Sequence, residues 1–353
     1  MPTVTNYLVS NLPAYVQENR DMLVKNFALA GPGTRERIGI QTGIKGSAYL
    51  NYFSLAATMQ SGTGCGHNPI DEATLTQRTI TTALIKCDGQ ICPETLIGKY
   101  AEYLVRINAK ENELPFEQYL TDALVAEVNK KIEKLIWQGD HTASSDATIK
   151  WIDGFLYQMN ADSDVIDVSI NSGTSAYNGL LAVYAAMPDE TLERGGVIFV
   201  SPAIYKAFLQ DMVAANFFHF AGPDASAPKE FFLPGTDVKV IETFGLKGSL
   251  KVVGTFADNL VYGCDGQNDE EVIDIWWSND DRVFKYQVKW NSGVAYHFPD
   301  QCVLGVFAAA PTMPVIGSVQ ASLETIATNT GTVATNTGTL ASADHVYKTK
   351  EQA

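Results

Sequence analysis

The sequence predicts an α+β chain of several packed units. Three observations predict it. Residues 34–93 are rich in Gly, Thr and Ser and carry short alternating runs of the kind strands show. Residues 115–138 carry one long apolar stripe at helical spacing. Residues 175–270 alternate strand-like and helix-like segments, and a hairpin pattern follows over 271–310. At roughly 150 residues per domain, 353 residues make about two or three folding units.

Residues 11–30 read as a short amphipathic helix. Leu12, Val16, Leu23, Val24, Phe27 and Ala28 form its stripe, and Gly31-Pro32-Gly33 stops it. The runs Ile38-Gly39-Ile40 and Thr79 to Ile85 are strand candidates within 38–93, interrupted by Gly62, Gly64 and Gly66. So long a segment with little core of its own needs a neighbour to pack on. Pro93 before Glu94 favours a helix start, which predicts a helix over 94–110.

The clearest helix follows, from Pro115 to Gln138. Phe116, Leu120, Leu124, Val128, Ile132 and Ile136 repeat every four residues, and Tyr119, Ala123 and Leu135 widen the stripe. Glu127, Lys130, Lys131, Glu133 and Lys134 are expected on the polar face. Pro115 suits the first turn and Gly139 the position just past the end. About 24 residues at 1.5 Å each make a rod of roughly 36 Å. Its role is structural, packed on a sheet.

Beyond it, a strand is expected at 165–170 and a helix near 176–187. A strand at 197–200 leads through Ser201-Pro202 into a helix over 203–215. Strands follow at 238–243, 250–256 and 260–262, and the aromatic run Phe217-Phe218-His219-Phe220 is expected to be covered. In the hairpin, Val272 to Trp277 turns through Ser278-Asn279-Asp280-Asp281. Phe284, Tyr286, Val288 and Trp290 then alternate with Lys285, Gln287 and Lys289, the period of a half-buried strand. Cys302 to Phe307 is a last, wholly apolar strand. After Pro311 and Pro314, Ala327 to Val333 is repeated as Ala334 to Leu340. Its heptad-like seam leaves an extended tail and a short self-associating helix both open.

Composition excludes several function classes. Lys plus Arg number 25 against 40 Asp plus Glu, a net charge of −15, so the basic face of a nucleic-acid reader is missing. Charged residues make up 18%, below the usual quarter or so, which fits large buried interfaces. No apolar run reaches the 18 or more residues of a membrane span. The first residues lack the basic and apolar regions of a signal peptide, and five Cys fit a reducing cytoplasm.

A search for chemistry finds little. Gly62-Thr-Gly-Cys-Gly66 is followed by His67 where a dinucleotide loop needs glycine, and Asn68-Pro69 where it needs a helix. The segment Gly173 to Tyr177 lacks the second glycine of a nucleophile elbow. Cys65, His67, Cys87 and Cys92 are the candidate zinc ligands. They lack the tight C-x2-C spacing, so isolated apolar thiols are the plainer reading. Asp265 and Asp269-Glu270-Glu271 read as a solvated acidic turn. No cofactor and no catalytic residue is expected.

Several stretches, in order, resemble the major capsid proteins of tailed phages, which share the Hong Kong 97-like fold. Gln41-Thr-Gly-Ile-Lys-Gly46 is similar to the segment leading from the N-terminal arm into that family's extended loop. Leu75 to Thr82 is similar to the returning strand of the loop. Leu114-Pro-Phe-Glu through Leu135 to Asp140 is similar to the spine helix of the peripheral domain. Ile198 to Tyr205 resembles a strand and helix of the axial domain, and Asn259 to Asp265 the strand closing it. The resemblance covers about residues 1–310 and rests on their order. It implies an arm at 1–37, an extended β-loop at 38–93 and a peripheral domain at 94–174. It further implies an axial domain at 175–270, a return hairpin and strand of the peripheral domain at 271–310, and a tail at 311–353 that has no counterpart.

The resemblance also implies a non-catalytic shell protein. Its copies would form hexamers and pentamers of an icosahedral head around double-stranded DNA, touching that DNA weakly. The loop would lie across a neighbouring copy, with Lys45, Tyr49, Phe53, Arg78, Ile80 and Lys86 as assembly contacts. Portal, scaffold and other head proteins would be partners, and no membrane. Synthesis would be in the bacterial host cytoplasm and the final location the virion. No scaffold-like region precedes the arm, so a separate scaffold or none is expected. Some relatives crosslink through a loop Lys; nothing here assigns that chemistry to Lys45 or Lys86. The alternatives are a nanocompartment shell of the same fold, a small Cys/His metal-binding protein, and a minor or decoration component of a virion.

Overall fold

The computed structural model describes residues 33–55, 58–61, 73–92, 116–143, 148–215, 230–265 and 272–311, with 16, 70 and 146. The helix at 94–110, the aromatic run at 217–220, the acidic turn at 269–271 and the repeated tail lie outside the described residues, as does the helix at 11–30 apart from Val16. In chain order the elements are β1 (Gly39–Gln41), β2 (Ser47–Leu55), β3 (Ala73–Thr81), β4 (Ala83–Ile91), α1 (Phe116–Gln138), α2 (Phe155–Ala161), β5 (Ile166–Ile170), α3 (Ala176–Ala186), α4 (Asp189–Glu193), β6 (Gly196–Val200), α5 (Pro202–Ala214), β7 (Glu230–Phe232), β8 (Lys239–Glu242), β9 (Lys251–Phe256), β10 (Leu260–Gly263), β11 (Val272–Ser278), β12 (Val283–Tyr296) and β13 (Val303–Phe307).

The strands make three sheets. One is five-stranded: β1, β10, β12 and β11 lie in that order, and β4 also pairs with β12. One is six-stranded, in the order β5-β13-β9-β6-β8-β7. The third is the two-stranded ribbon β2-β3. β12 is long enough to serve two sets of partners. Its first part pairs with β11 and β4, and its last four residues pair with β10.

The long helix lies where its apolar stripe places it. Val128, Ile132 and Ile136 are buried together with Ile85 of β4, Ile275 of β11 and Val288 of β12. Two positions differ from the periodic expectation. Ala123 faces solvent, and Glu133 is buried. Glu133 is inward because residues 129, 133 and 137 form a second ridge beside the apolar one. That ridge meets the turn at Thr34 and Arg35 rather than water. Gly139 ends the helix by close approach and does not adopt a left-handed conformation. A Cβ there would sit 2.4 Å from the carbonyl oxygen of Ile152.

The six-stranded sheet is covered on both faces, so its central strands are mostly apolar. In β6, Val197 and Phe199 point into the core shared with α1, while Ile198 and Val200 point under α3 and α5. Trp137 joins the units, with ring centroids 5.3 Å from Phe155 and 5.2 Å from Phe199. Ser175 and Ser201 cap α3 and α5 by accepting from the backbone N–H groups of Asn178 and Ile204.

Two strands pair differently from the expectation. Residues 259–265 were expected to close the α/β unit, and the strand after Cys302 to return with the hairpin. Instead β10 leaves that unit and pairs with β1 and β12 in the five-stranded sheet. β13 enters the six-stranded sheet between β5 and β9. Both are apolar on both faces, so periodicity carries no information about which sheet receives them. The crossing is fixed by Asn259. Its amide donates to Thr255 Oγ1 and to the Phe298 carbonyl, and its Oδ1 accepts from the backbone N–H groups of His297 and Phe298.

Candidate assembly surface

The ribbon β2-β3 pairs over nine positions, from Ser47 with Thr81 to Leu55 with Ala73. Successive side chains alternate between its faces. Leu50, Arg78 and Ile80 turn toward the body, while Tyr49, Leu75, Gln77 and Thr79 turn outward. Tyr49 is 68% exposed and Leu75 is 62% exposed. Across both strands Arg78 is the sole charged residue. The outward face is therefore apolar and neutral-polar, with no charge to desolvate on burial.

Two contacts fix the ribbon's base. Ile80 packs with Ile44, Leu50, Val261 and Ala295 in a small separate core. Beside it, Arg78 Nη2 donates to Asp162 Oδ2 at 2.6 Å, and the Tyr296 hydroxyl donates to the same oxygen at 2.8 Å. The Arg78 guanidinium lies 4.3 Å from the centre of the Tyr296 ring. Burial raises the Asp162 pKa, but the bonds from Arg78 and Tyr296 outweigh it and hold the carboxyl below its usual value. Burial and the bond to Asp162 push the Tyr296 hydroxyl up. Thr82 separates β3 from β4 and donates from its hydroxyl toward the Gly46 carbonyl at 3.2 Å.

A second polar cluster holds the turn at residues 34–36 on α1. The Thr34 N–H and hydroxyl both donate to Glu133 Oε1, and Trp137 Nε1 donates to Thr34 Oγ1 at 2.6 Å. Arg35 is fully buried, donates to Asn129 Oδ1 at 2.7 Å and lies over the Tyr262 ring. Burial raises the Glu133 pKa, and the bonds from Thr34 and the charge of Arg35 only partly oppose it.

The residues expected at a subunit contact divide between surface and interior. Tyr49 is outward. Lys45 is half-exposed, with its Nζ 3.9 Å from buried Asp265. Lys86 lies on β4 and pairs with Asp88 at 2.9 Å. Phe53 is on β2, with its side chain outside the described residues. Ile80 is 0% exposed and serves its own chain's core, and Arg78 is engaged by Asp162 within the chain. Both turn inward because the ribbon's base is seated on the body, which a reading of alternation alone does not reveal.

Of the zinc candidates, Cys65 and His67 lie outside the described residues. Cys87 is within β4 and Cys92 just past its end. Five residues of extended chain separate them by about 16 Å, on opposite faces, too far to share one ion. Among the described residues no cluster of His, Cys, Asp and Glu forms a metal-binding group. Sequence reasoning missed Thr34, Arg35, Asp162, Asn259 and Tyr296. The one local signal was the four-residue step of Asn129, Glu133 and Trp137 beside the apolar stripe.

A cavity of about 500 Å³ lies where the ribbon meets the body. Tyr52 of β2 packs on Phe298, with ring centroids 4.8 Å apart. The Arg194 guanidinium lies 5.1 Å from the ring centres of both Phe256 and Phe298. His297 lines the same space, and its burial lowers its pKa. No described helix is long and apolar enough to cross a membrane.

No protein-family model and no curated protein sequence matches the chain. Solved structures do match in shape. A subunit of the satellite phage P4 procapsid that includes the size determination (Sid) protein aligns over 83% of this chain and 100% of its own, with TM-score 0.54 and 11% identity. The capsid of the empty GTA particle aligns over 78% of this chain and 90% of its own, with TM-score 0.51 and 10% identity. The native GTA particle gives TM-score 0.50 over the same shares. At these identities the likeness is one of fold, and the structural neighbours of this α+β chain are capsid proteins of phages and phage-like particles.

Proposed function

We propose that the chain is a major capsid protein of a tailed phage, with the Hong Kong 97-like arrangement of arm, extended loop, peripheral domain and axial domain. Its copies assemble as hexamers and pentamers into an icosahedral head around double-stranded DNA. Its role is structural rather than catalytic. The observation that carries this reading is the ribbon: nine paired positions, seated at one end, with an uncharged outward face bearing Tyr49 and Leu75. A two-stranded ribbon is marginal alone in water, so another surface along its length would stabilise it. The likeness of fold to capsid subunits supports a second copy as that surface.

Lys45, Tyr49, Phe53 and Lys86 are then the residues assigned to neighbouring copies. Portal, scaffold and other head proteins are its further partners, the host cytoplasm is where it is made, and the virion is where it resides. The net charge of −15 supports weak contact with packaged DNA, since strong phosphate binding needs clustered Lys and Arg. The test is the double variant Tyr49→Ser, Leu75→Ser. Both side chains are exposed in the single chain, so its melting temperature should stay within about 2 °C of wild type. Particles seen by sedimentation and negative-stain microscopy should disappear. A variant that assembles like wild type refutes the ribbon as the contact.

A further inference from the structure

The cavity where the ribbon meets the body has a composition that the shell reading does not use. Its walls are aromatic, from Tyr52, Phe256 and Phe298. Its polar groups converge from separate elements: Arg194 after α4, Asp258 in the turn between β9 and β10, and His297 just after β12. A pocket of this size with apolar walls and a few convergent polar groups is the usual form of a binding site.

Arg194 is the informative residue. Its guanidinium lies within cation–π distance of two phenylalanine rings, and no described carboxylate pairs with it. A guanidinium held against these rings presents a fork of N–H donors that matches a carboxylate or a phosphate. Asp258 bears on which of these two fits. Its carboxylate lines the same space and repels either anion, a multiply charged phosphate more strongly than a singly charged carboxylate, while it accepts from the N–H groups of a peptide. Burial lowers the pKa of His297, so near neutral pH its ring adds a hydrogen-bonding edge without a second full positive charge.

We propose that this cavity receives an Asp or Glu side chain from a second copy of the chain, with Arg194 as the residue that grips it. The inference rests on the shell reading, which lays a neighbour along the ribbon that supplies Tyr52. Charge favours that occupant. With 40 acidic residues against 25 basic ones, a neighbouring copy offers carboxylates more readily than any other charged group. The grip would register the neighbour beside the middle of the ribbon, where Tyr52 packs on Phe298, while the outward face holds it along the strands.

The test uses the full chain. Arg194 is exposed, so Arg194→Ala should fold, with its melting temperature lowered only slightly by the lost ring contacts. It should raise the protein concentration needed for assembly about tenfold, the effect of one lost charged contact per subunit. Arg194→Lys keeps the charge without the planar fork and should recover only part of that loss. A photo-crosslinking phenylalanine analogue in place of Tyr52 should, in assembled particles, join to an Asp- or Glu-containing peptide of another copy. Particles in which Arg194→Ala assembles at the wild-type concentration overturn the inference and leave the shell reading standing. So do crosslinks confined to the same chain, or a cavity that takes inorganic phosphate and yields no peptide adduct. A wild-type chain that forms no particles overturns the shell reading, and this inference with it.

Discussion

Arg78→Ala tests how the ribbon is anchored. The substitution removes a hydrogen-bonded ion pair to Asp162 at 2.6 Å and a guanidinium 4.3 Å from the Tyr296 ring. The Arg78 and Asp162 side chains are 27% and 16% exposed, so solvent screens the pair only in part. A charged hydrogen bond of this kind is worth about 1.5–3 kcal/mol, and the ring contact adds roughly 0.5–1 kcal/mol. Tyr296 still donates to Asp162 in the variant, which keeps part of the network, so a net loss of about 2 kcal/mol is expected. That loss falls on the ribbon rather than on the whole chain, because the ribbon seats through Leu50 and Ile80 in a small core separate from the two main ones. Hydrogen exchange measured on the unassembled chain should therefore speed up by roughly 30-fold for amides of β2 and β3, at 1.4 kcal/mol per tenfold. Amides of β6 and β9 should keep their wild-type rates. Arg78→Lys should fall between, because an ammonium keeps the charge but not the planar stacking. Unchanged ribbon amides in Arg78→Ala would refute the anchor, and an equal acceleration everywhere would show that it holds the whole fold instead.

Acid should release the same anchor. Asp162 titrates below its usual 3.8 in the folded chain, so its contribution is present above that value and is lost as pH falls through the lowered one. Ribbon exchange should then rise only below about pH 4, and loss of protection already at pH 6 would contradict the assignment. Glu133 has the opposite sign. Its pKa is raised above 4.5, so its stabilising share is complete below that value and declines as pH rises through the raised one. Glu133→Gln can still accept both bonds from Thr34, and its melting temperature should gain on wild type between pH 4 and pH 8. Glu133→Ala should cost about 2 kcal/mol at pH 4, by leaving the Thr34 donors buried without an acceptor, and less at pH 8.

Much of this architecture is legible in the sequence because it is carried by periodicity. The stripe from Leu124 to Ile136 gives α1, and the alternation from Phe284 to Trp290 gives the inward face of the first part of β12. Ser201-Pro202 marks the start of α5 for a local reason, a cap followed by a proline in the first turn. What periodicity cannot show is pairing. β10 and β13 are both buried on two faces, and only the hydrogen bonds of Asn259 and the neighbours of β13 reveal which sheet takes each. The same limit applies to the surface. Tyr49 and Ile80 are both apolar residues of the ribbon, yet one faces out and the other closes a core with Ile44 and Val261. Their difference lies in where the ribbon sits on the body, a contact between residues far apart in the chain. Buried polar residues such as Arg35 and Glu133 are hidden for the same reason. Each is soluble by type and interior only because its partner comes from a distant segment.

The central claim is that this chain builds a shell by laying its ribbon on another copy. The most direct measurement is cryo-electron microscopy of the material formed by the purified full-length chain, with its mass followed by light scattering. Closed particles or rings of five and six subunits are expected, with density for β2-β3 lying on an adjacent subunit and Tyr49 and Leu75 covered. A chain that stays a 38.4 kDa monomer across concentration and salt, or particles in which the ribbon touches only its own chain, would contradict it.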